Sequence, residues 1–129
     1  MADPAFPQPT DVELEILRVL WRLGPSSVRR VHRAIAETKT TGYSTTLKMM
    51  QVMRDKGLLL RDDSVRPQVY RPAVTQDRTQ LQLVDNLVQK AFGGSALKLL
   101  MHAVSAERVS ADELAQIEKL IRDAKREGR

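Results

Sequence analysis

Apolar residues recur at spacings of three and four along most of this chain, and the rhythm breaks in one place only. Leu14, Leu17, Leu20 and Trp21 share one helical face ahead of Gly24-Pro25, which stops the helix. Thr10-Asp11-Val12-Glu13 has the form of a capping box: the threonine hydroxyl accepts the backbone N–H of Glu13, and the glutamate reaches back. Asp11, Glu13 and Glu15 also suit the positive end of that helix's dipole. Ser27 caps a second helix, with Val28, Val31, Ile35 and Ala34 inward and Arg29, Arg30 and Arg33 elsewhere. A turn of small and polar residues runs from Lys39 to Gly42. A third helix is then predicted over about 44–56, capped by Ser44, with Leu47, Met50 and Met53 inward. Gly57 supplies the left-handed residue that ends it.

The period changes after that glycine. Leu58-Leu59-Leu60-Arg61 and Gln68-Val69-Tyr70-Arg71 read as two strands around the turn residues Asp62-Asp63-Ser64. Pro67 cannot donate a ladder hydrogen bond, so it belongs near the tip or on an edge, and Pro72 ends the return strand. Such a hairpin is too small to stand alone and must pack on the helices. Three helices followed by a hairpin predict a mainly α fold, a winged helix-turn-helix over residues 10–74. In that architecture the third helix lies in a major groove and the wing, here about 61–70, reaches the flanking backbone.

The remainder, residues 75–129, is predicted to be helical. A helix from about Gln76 to Phe92 carries Leu81, Val84, Leu87 and Val88, and Gly93-Gly94 breaks it. Ser95 caps a short helix with Leu97, Leu100, Met101 and Val104. Ser110 and Glu113 form a second capping box, opening a helix with Leu114, Ile117, Leu120, Ile121 and Ala124 inward. Three short helices bury one stripe each against one another. Aliphatic stripes with little net charge therefore predict a homodimer. Its contacts are Leu81, Val84, Leu87, Val88, Leu100, Leu114, Ile117, Leu120 and Ile121. The plainer reading is a self-sufficient helical bundle. Residues 1–9, with three prolines, read as a flexible leader.

Charge sharpens this division. Residues 17–73 hold 12 Lys/Arg and 4 Asp/Glu, whereas residues 75–129 hold 9 and 8, so the positive field belongs to the first half. Such a field suits a phosphate polyanion, and a solvated basic face is the bland alternative. The chain has no cysteine, which excludes disulfides, thiolate metal sites and thiol nucleophiles. No apolar run approaches the roughly 18 residues of a membrane span, and MADPAFPQPT lacks the basic and apolar regions of a signal peptide. The expectation is a cytoplasmic protein without membrane insertion. His32 and His102 are solitary, so no metal ligand or cofactor is assigned. No Gly-rich phosphate loop, nucleophile elbow or H-E-x-x-H motif is present, so no catalytic residue is assigned and an enzyme is not expected.

Several spaced motifs then point to one family. Leu14-Glu15-Ile16-Leu17, Leu20-Trp21, Gly24-Pro25, Val28-Arg29 and Val31-His32 resemble the first two helices of the penicillinase and methicillin-resistance repressors, the BlaI/MecI family. Tyr43-Ser44-Thr45-Thr46-Leu47, Gln51 and Lys56-Gly57-Leu58 resemble its recognition helix, and Arg66, Val69-Tyr70-Arg71-Pro72 its wing. The resemblance covers about 10–74, and the helical tail agrees in layout. It implies a transcriptional repressor that dimerises through its C-terminal helices on a dyad-symmetric double-stranded DNA operator. In the penicillinase branch a membrane-bound β-lactam sensor triggers proteolysis of the repressor at an Asn-Phe bond. By layout that point falls near Met101-His102-Ala103 here, and the chain contains no Asn-Phe pair. The cysteine cluster of the copper-responsive branch is also absent.

The candidate DNA contacts are Tyr43, Ser44, Thr45, Thr46, Lys48, Gln51 and Arg66, with Arg29 and Arg30 on the backbone. Ser44 is expected to cap the helix and to meet a phosphate or base from its N-terminus. A threonine methyl matches a thymine methyl and its hydroxyl reaches base edges, so Thr45 or Thr46 contacts a base, with Thr46 the better candidate for packing. Lys48 and Gln51 extend the stripe; lysine suits phosphate or guanine and glutamine suits adenine. Tyr43 either packs on the domain or offers its hydroxyl to a phosphate. Two other functions fit the same fold: a protein-interaction module with a neutral third helix, or a regulator whose small effector binds between the two halves.

Overall fold

The computed structural model describes residues 8–128. Six helices and one hairpin follow in order: α1 (Asp11–Leu23), α2 (Val28–Ala36), α3 (Tyr43–Asp55), β1 (Leu59–Asp62), β2 (Val69–Pro72), α4 (Gln76–Ala91), α5 (Ala96–Ser105) and α6 (Ala111–Arg126). The chain divides into two compact units between Asn86 and Leu87, within α4. The first unit is a winged helix. Of the expected leader, residues 1–7 lie outside the described residues. Pro9 is buried, and Gln8 Oε1 accepts a hydrogen bond from Asn86 Nδ2 at 2.7 Å.

Local chemistry sets most helix starts. Thr10 Oγ1 accepts the Glu13 N–H at 3.2 Å and Glu13 Oε1 accepts the Thr10 N–H at 2.9 Å, completing the capping box. Ser27 accepts from the Arg30 N–H, Ser95 from the Lys98 N–H, and Ser110 and Glu113 form the second box. The C-terminus of α3 is a Schellman motif. Gly57, at φ +86°, donates to the Arg54 carbonyl at 3.1 Å, and Leu58 donates to the Met53 carbonyl at 2.9 Å. Met53 and Leu58 are both fully buried, so the turn that ends α3 also seats the first residues of the wing in the core.

The core gathers Ile16, Leu17, Val19 and Leu20 of α1, Val28, Val31 and Ile35 of α2, Met50 and Met53 of α3, and Leu58, Leu59 and Tyr70 of the hairpin. One expectation for α1 is corrected. Leu14 is only half-buried and outside this cluster, while Ile16 and Val19 are in it. Val12, Leu14, Ile16, Leu17, Val19, Leu20 and Trp21 are all apolar, so more than one stripe satisfies a helical period. Packing against α2, α3 and β2 selects the stripe through Glu13, Ile16, Leu17 and Leu20. Trp21 lies against the core and donates its indole N–H to the Val74 carbonyl at 3.2 Å.

The hairpin is antiparallel, pairing Leu59 with Pro72 and Asp62 with Val69. Ser26, in the turn between α1 and α2, adds a rung: it donates to Tyr70 at 3.0 Å and accepts from it at 2.8 Å. Buried Ser26 and buried Tyr70 thus fasten the wing to the turn that precedes α2.

The second unit comprises the end of α4, with α5 and α6. Its apolar side chains are largely uncovered: Leu97 is 66% exposed and Leu120 67%. No residue of α5 or α6 is buried. Phe92 and His102 meet with ring centroids 5.7 Å apart. Among the described residues, no helix is long and apolar enough to cross a membrane.

Candidate nucleic-acid interface

The inner face of α3 is fixed by Met50 and Met53, both fully buried, and by Leu47 packed beside them. The remaining faces turn to solvent. Tyr43, Ser44, Thr45, Lys48 and Gln51 are all exposed and recur at spacings of three and four, forming one polar stripe.

Two expectations about the start of α3 are corrected. The N-cap is Gly42, at φ −86° and ψ 153°, and no side chain caps the helix. The Thr46 N–H bonds the Gly42 carbonyl at 3.2 Å, which makes Tyr43 the first helical residue and puts Ser44 inside the first turn. Ser44 therefore keeps its hydroxyl at the surface without capping. Thr46 is 3% exposed, and its hydroxyl faces the Gly42 carbonyl at 3.5 Å. It is withdrawn from the candidate contacts, because a side chain packed under the helix presents nothing to a groove. Thr45, one position earlier, lies on the outer face.

Tyr43 is 43% exposed and held by α2. The Arg29 guanidinium lies 5.7 Å from its ring centroid, and the His32 ring meets it edge-on at 6.0 Å. His32 Nε2 stands 2.9 Å from the Thr41 carbonyl. Sequence reasoning set His32 aside as solitary. Its spacing of three from Arg29, on the helix facing the turn into α3, is the signal that was there to read. Arg30 is exposed near the start of α2.

On the wing, Arg66 is exposed, and its guanidinium donates to the Asp63 carbonyl at 3.3 Å, a contact that leaves its charge uncompensated. Asp63 pairs instead with Arg61, at 2.5 and 3.3 Å. That hydrogen bond holds the Asp63 carboxyl below the usual carboxylate range. The Ser64 hydroxyl, and then its N–H, does the same for Asp62. Pro25, Ser27, Arg30, Asp62, Arg66 and Val69 line a shallow hollow between the start of α2 and the wing. Arg54, exposed at the end of α3, lies near enough to Asp63 to lower it further, and was not singled out from the sequence. Among the described residues, no group of three His, Asp or Glu could hold a metal ion.

The model of the penicillinase repressor family matches residues 9–123, through both units. The chain belongs to the penicillinase repressor family. It is 35% identical over 105 residues to the transcriptional regulator BlaI of two Mycobacterium tuberculosis strains, covering 80% of this chain and 75% of each relative. It is 20% identical over 120 residues to the penicillinase repressor of Bacillus licheniformis, covering 93% of this chain and 94% of that one. Among solved structures it resembles the monomeric form of Bacillus licheniformis BlaI in solution, in complex with the blaP half-operator. The TM-score is 0.51 at 27% identity, over 60% of this chain and 92% of the other. For a member of the penicillinase repressor family, the uncovered leucines of α5 and α6 and the basic first unit are two distinct surfaces on one chain.

Proposed function

We propose that this chain is a transcriptional repressor that binds a dyad-symmetric DNA operator as a homodimer. The observation that carries the reading is the exposed stripe of Ser44, Thr45, Lys48 and Gln51 on α3, opposite its buried methionines. The likeness to a BlaI in complex with a half-operator supports it. In this reading α3 enters a major groove, Thr45, Lys48 and Gln51 meet base edges or phosphates, and Tyr43 and Ser44 flank them. Arg66 reaches the flanking backbone, with Arg29 and Arg30 beside the groove. Residues 10–74 form the DNA-binding part and 75–129 the dimerisation part. The partner of the uncovered leucines of α4, α5 and α6 is a second copy of the chain. Two recognition helices then stand about 34–36 Å apart if the half-sites are one turn apart.

The test is a titration of labelled duplexes carrying the chain's own promoter or a scrambled sequence, at several salt concentrations. Selective binding that weakens steeply with salt is expected, and Lys48→Ala with Arg66→Ala should lower the salt slope by about two. Equal affinity for both duplexes, or an unaffected double variant, overturns the proposal.

A further inference from the structure

We infer that His32, on α2, is the positioning residue for the DNA-reading start of α3. The inference rests on the DNA-binding reading above and adds to it a residue that does not itself reach the groove.

The start of α3 lacks the usual local support. Gly42 has no side chain with which to cap the helix, and Tyr43, Ser44 and Thr45 are exposed, so burial does not hold them either. Two attachments remain. One is Thr46, buried beneath the first turn. The other is α2. A carbonyl oxygen only accepts, so the 2.9 Å contact has His32 Nε2 donating to Thr41, the second-last residue before the helix. The same imidazole meets the Tyr43 ring edge-on, with planes at 87°. One half-buried side chain therefore grips the chain on both sides of Gly42. Arg29, one helical turn earlier, covers the Tyr43 ring.

The consequence differs for the two kinds of DNA contact. Phosphate contacts are electrostatic and tolerate small displacements, whereas base contacts need a directed hydrogen bond. Loosening the first turn of α3 therefore costs selectivity between sequences more than it costs affinity for DNA in general.

The experiment begins with a duplex selected from a randomised pool by the wild-type chain, measured against a scrambled duplex at matched salt. His32→Ala should lower the ratio of the two affinities roughly three- to tenfold, the worth of about one hydrogen bond. Affinity for the scrambled duplex and its salt slope should hold. His32→Gln, which places an amide N–H where Nε2 stood, should restore the ratio; His32→Phe, a ring with no donor, should not. Without DNA, the amides of Thr46 and Leu47 should exchange faster in His32→Ala and His32→Phe, with those of Leu20 and Met53 unchanged. An unchanged ratio in His32→Ala overturns the inference, as does equal rescue by Phe and Gln. If the wild-type chain selects no sequence, the DNA-binding reading fails. The exchange experiment then still decides whether His32 holds the start of α3, and unchanged Thr46 and Leu47 amides overturn it. The comparison of Gln with Phe stands even if the alanine variant does not fold.

Discussion

Lys56 Nζ stands 2.8 Å from both carboxylate oxygens of Glu13, joining the end of α3 to the first turn of α1. Glu13 is 2% exposed, and the oxygen nearer the Thr10 N–H accepts from it as well. One carboxylate thus completes a helix cap and anchors the far end of the proposed recognition helix. Lys56 is the residue just before Gly57, so the ammonium and the Schellman turn fix the same end of α3 by independent means.

Removing the ammonium leaves a buried carboxylate with only the cap to satisfy it. Lys56→Ala should cost about 1–3 kcal/mol, less than a fully buried pair because the lysine is partly solvated. Glu13→Gln should cost less than Lys56→Ala, since the amide oxygen still accepts from Thr10. Urea unfolding of both variants and the double variant would measure the coupling. An unchanged midpoint for Lys56→Ala would show the pair to be ornamental.

The same contact predicts a pH dependence. Burial alone would raise the Glu13 carboxyl. The Lys56 hydrogen bond, the Thr10 N–H and the Lys56 charge outweigh it and leave the group lowered. A lowered folded value means that the unfolded chain takes up the proton first, so the folded state loses stability as pH falls. The contribution should be complete above the ordinary glutamate range, at about 4.3, and fade as pH drops through the lower folded value. Asp62 and Asp63 act in the same direction. Glu13→Gln should flatten the acid limb of a stability-against-pH curve; an identical limb would remove Glu13 from the explanation.

Thr45 and Thr46 are adjacent and should behave as opposites. Thr45→Val removes an exposed hydroxyl, so base preference in a selection experiment should change while the thermal midpoint stays within about 0.5 kcal/mol of wild type. Thr46→Ser removes a buried methyl and should cost about 1 kcal/mol without altering base preference. A swapped pattern would mean that α3 is rotated from the orientation described above.

The uncovered leucines carry the dimer prediction. Leu100→Glu and Leu120→Glu alter side chains that are 53% and 67% exposed in the single chain. They should leave the helical content nearly intact and weaken self-association about ten- to a hundredfold in sedimentation equilibrium. Val88 differs from the other proposed dimer contacts, because it is 7% exposed and already buried within the chain. Val88→Ala should therefore act on the chain's own stability. Dimers of undiminished affinity in both glutamate variants would place the interface elsewhere.

What the sequence by itself determined is the part governed by neighbours three or four residues apart. Both capping boxes, the Ser27 and Ser95 caps, the glycine stop after α3, the inward faces of α2 and α3, and the hairpin were legible. Each depends on a side chain meeting backbone or solvent within its own turn. The tertiary structure decided the rest. It chose Ile16 over Leu14 in α1, where an excess of apolar residues left the stripe ambiguous. It started α3 one residue early, at Tyr43, because Arg29 and His32 hold that ring from another helix. It turned Thr46 inward and Thr45 outward, and it brought Lys56 to Glu13 across 43 residues of chain. No local rule contains these choices: which side of an element is covered, and which charges meet, depends on how distant segments close around one core.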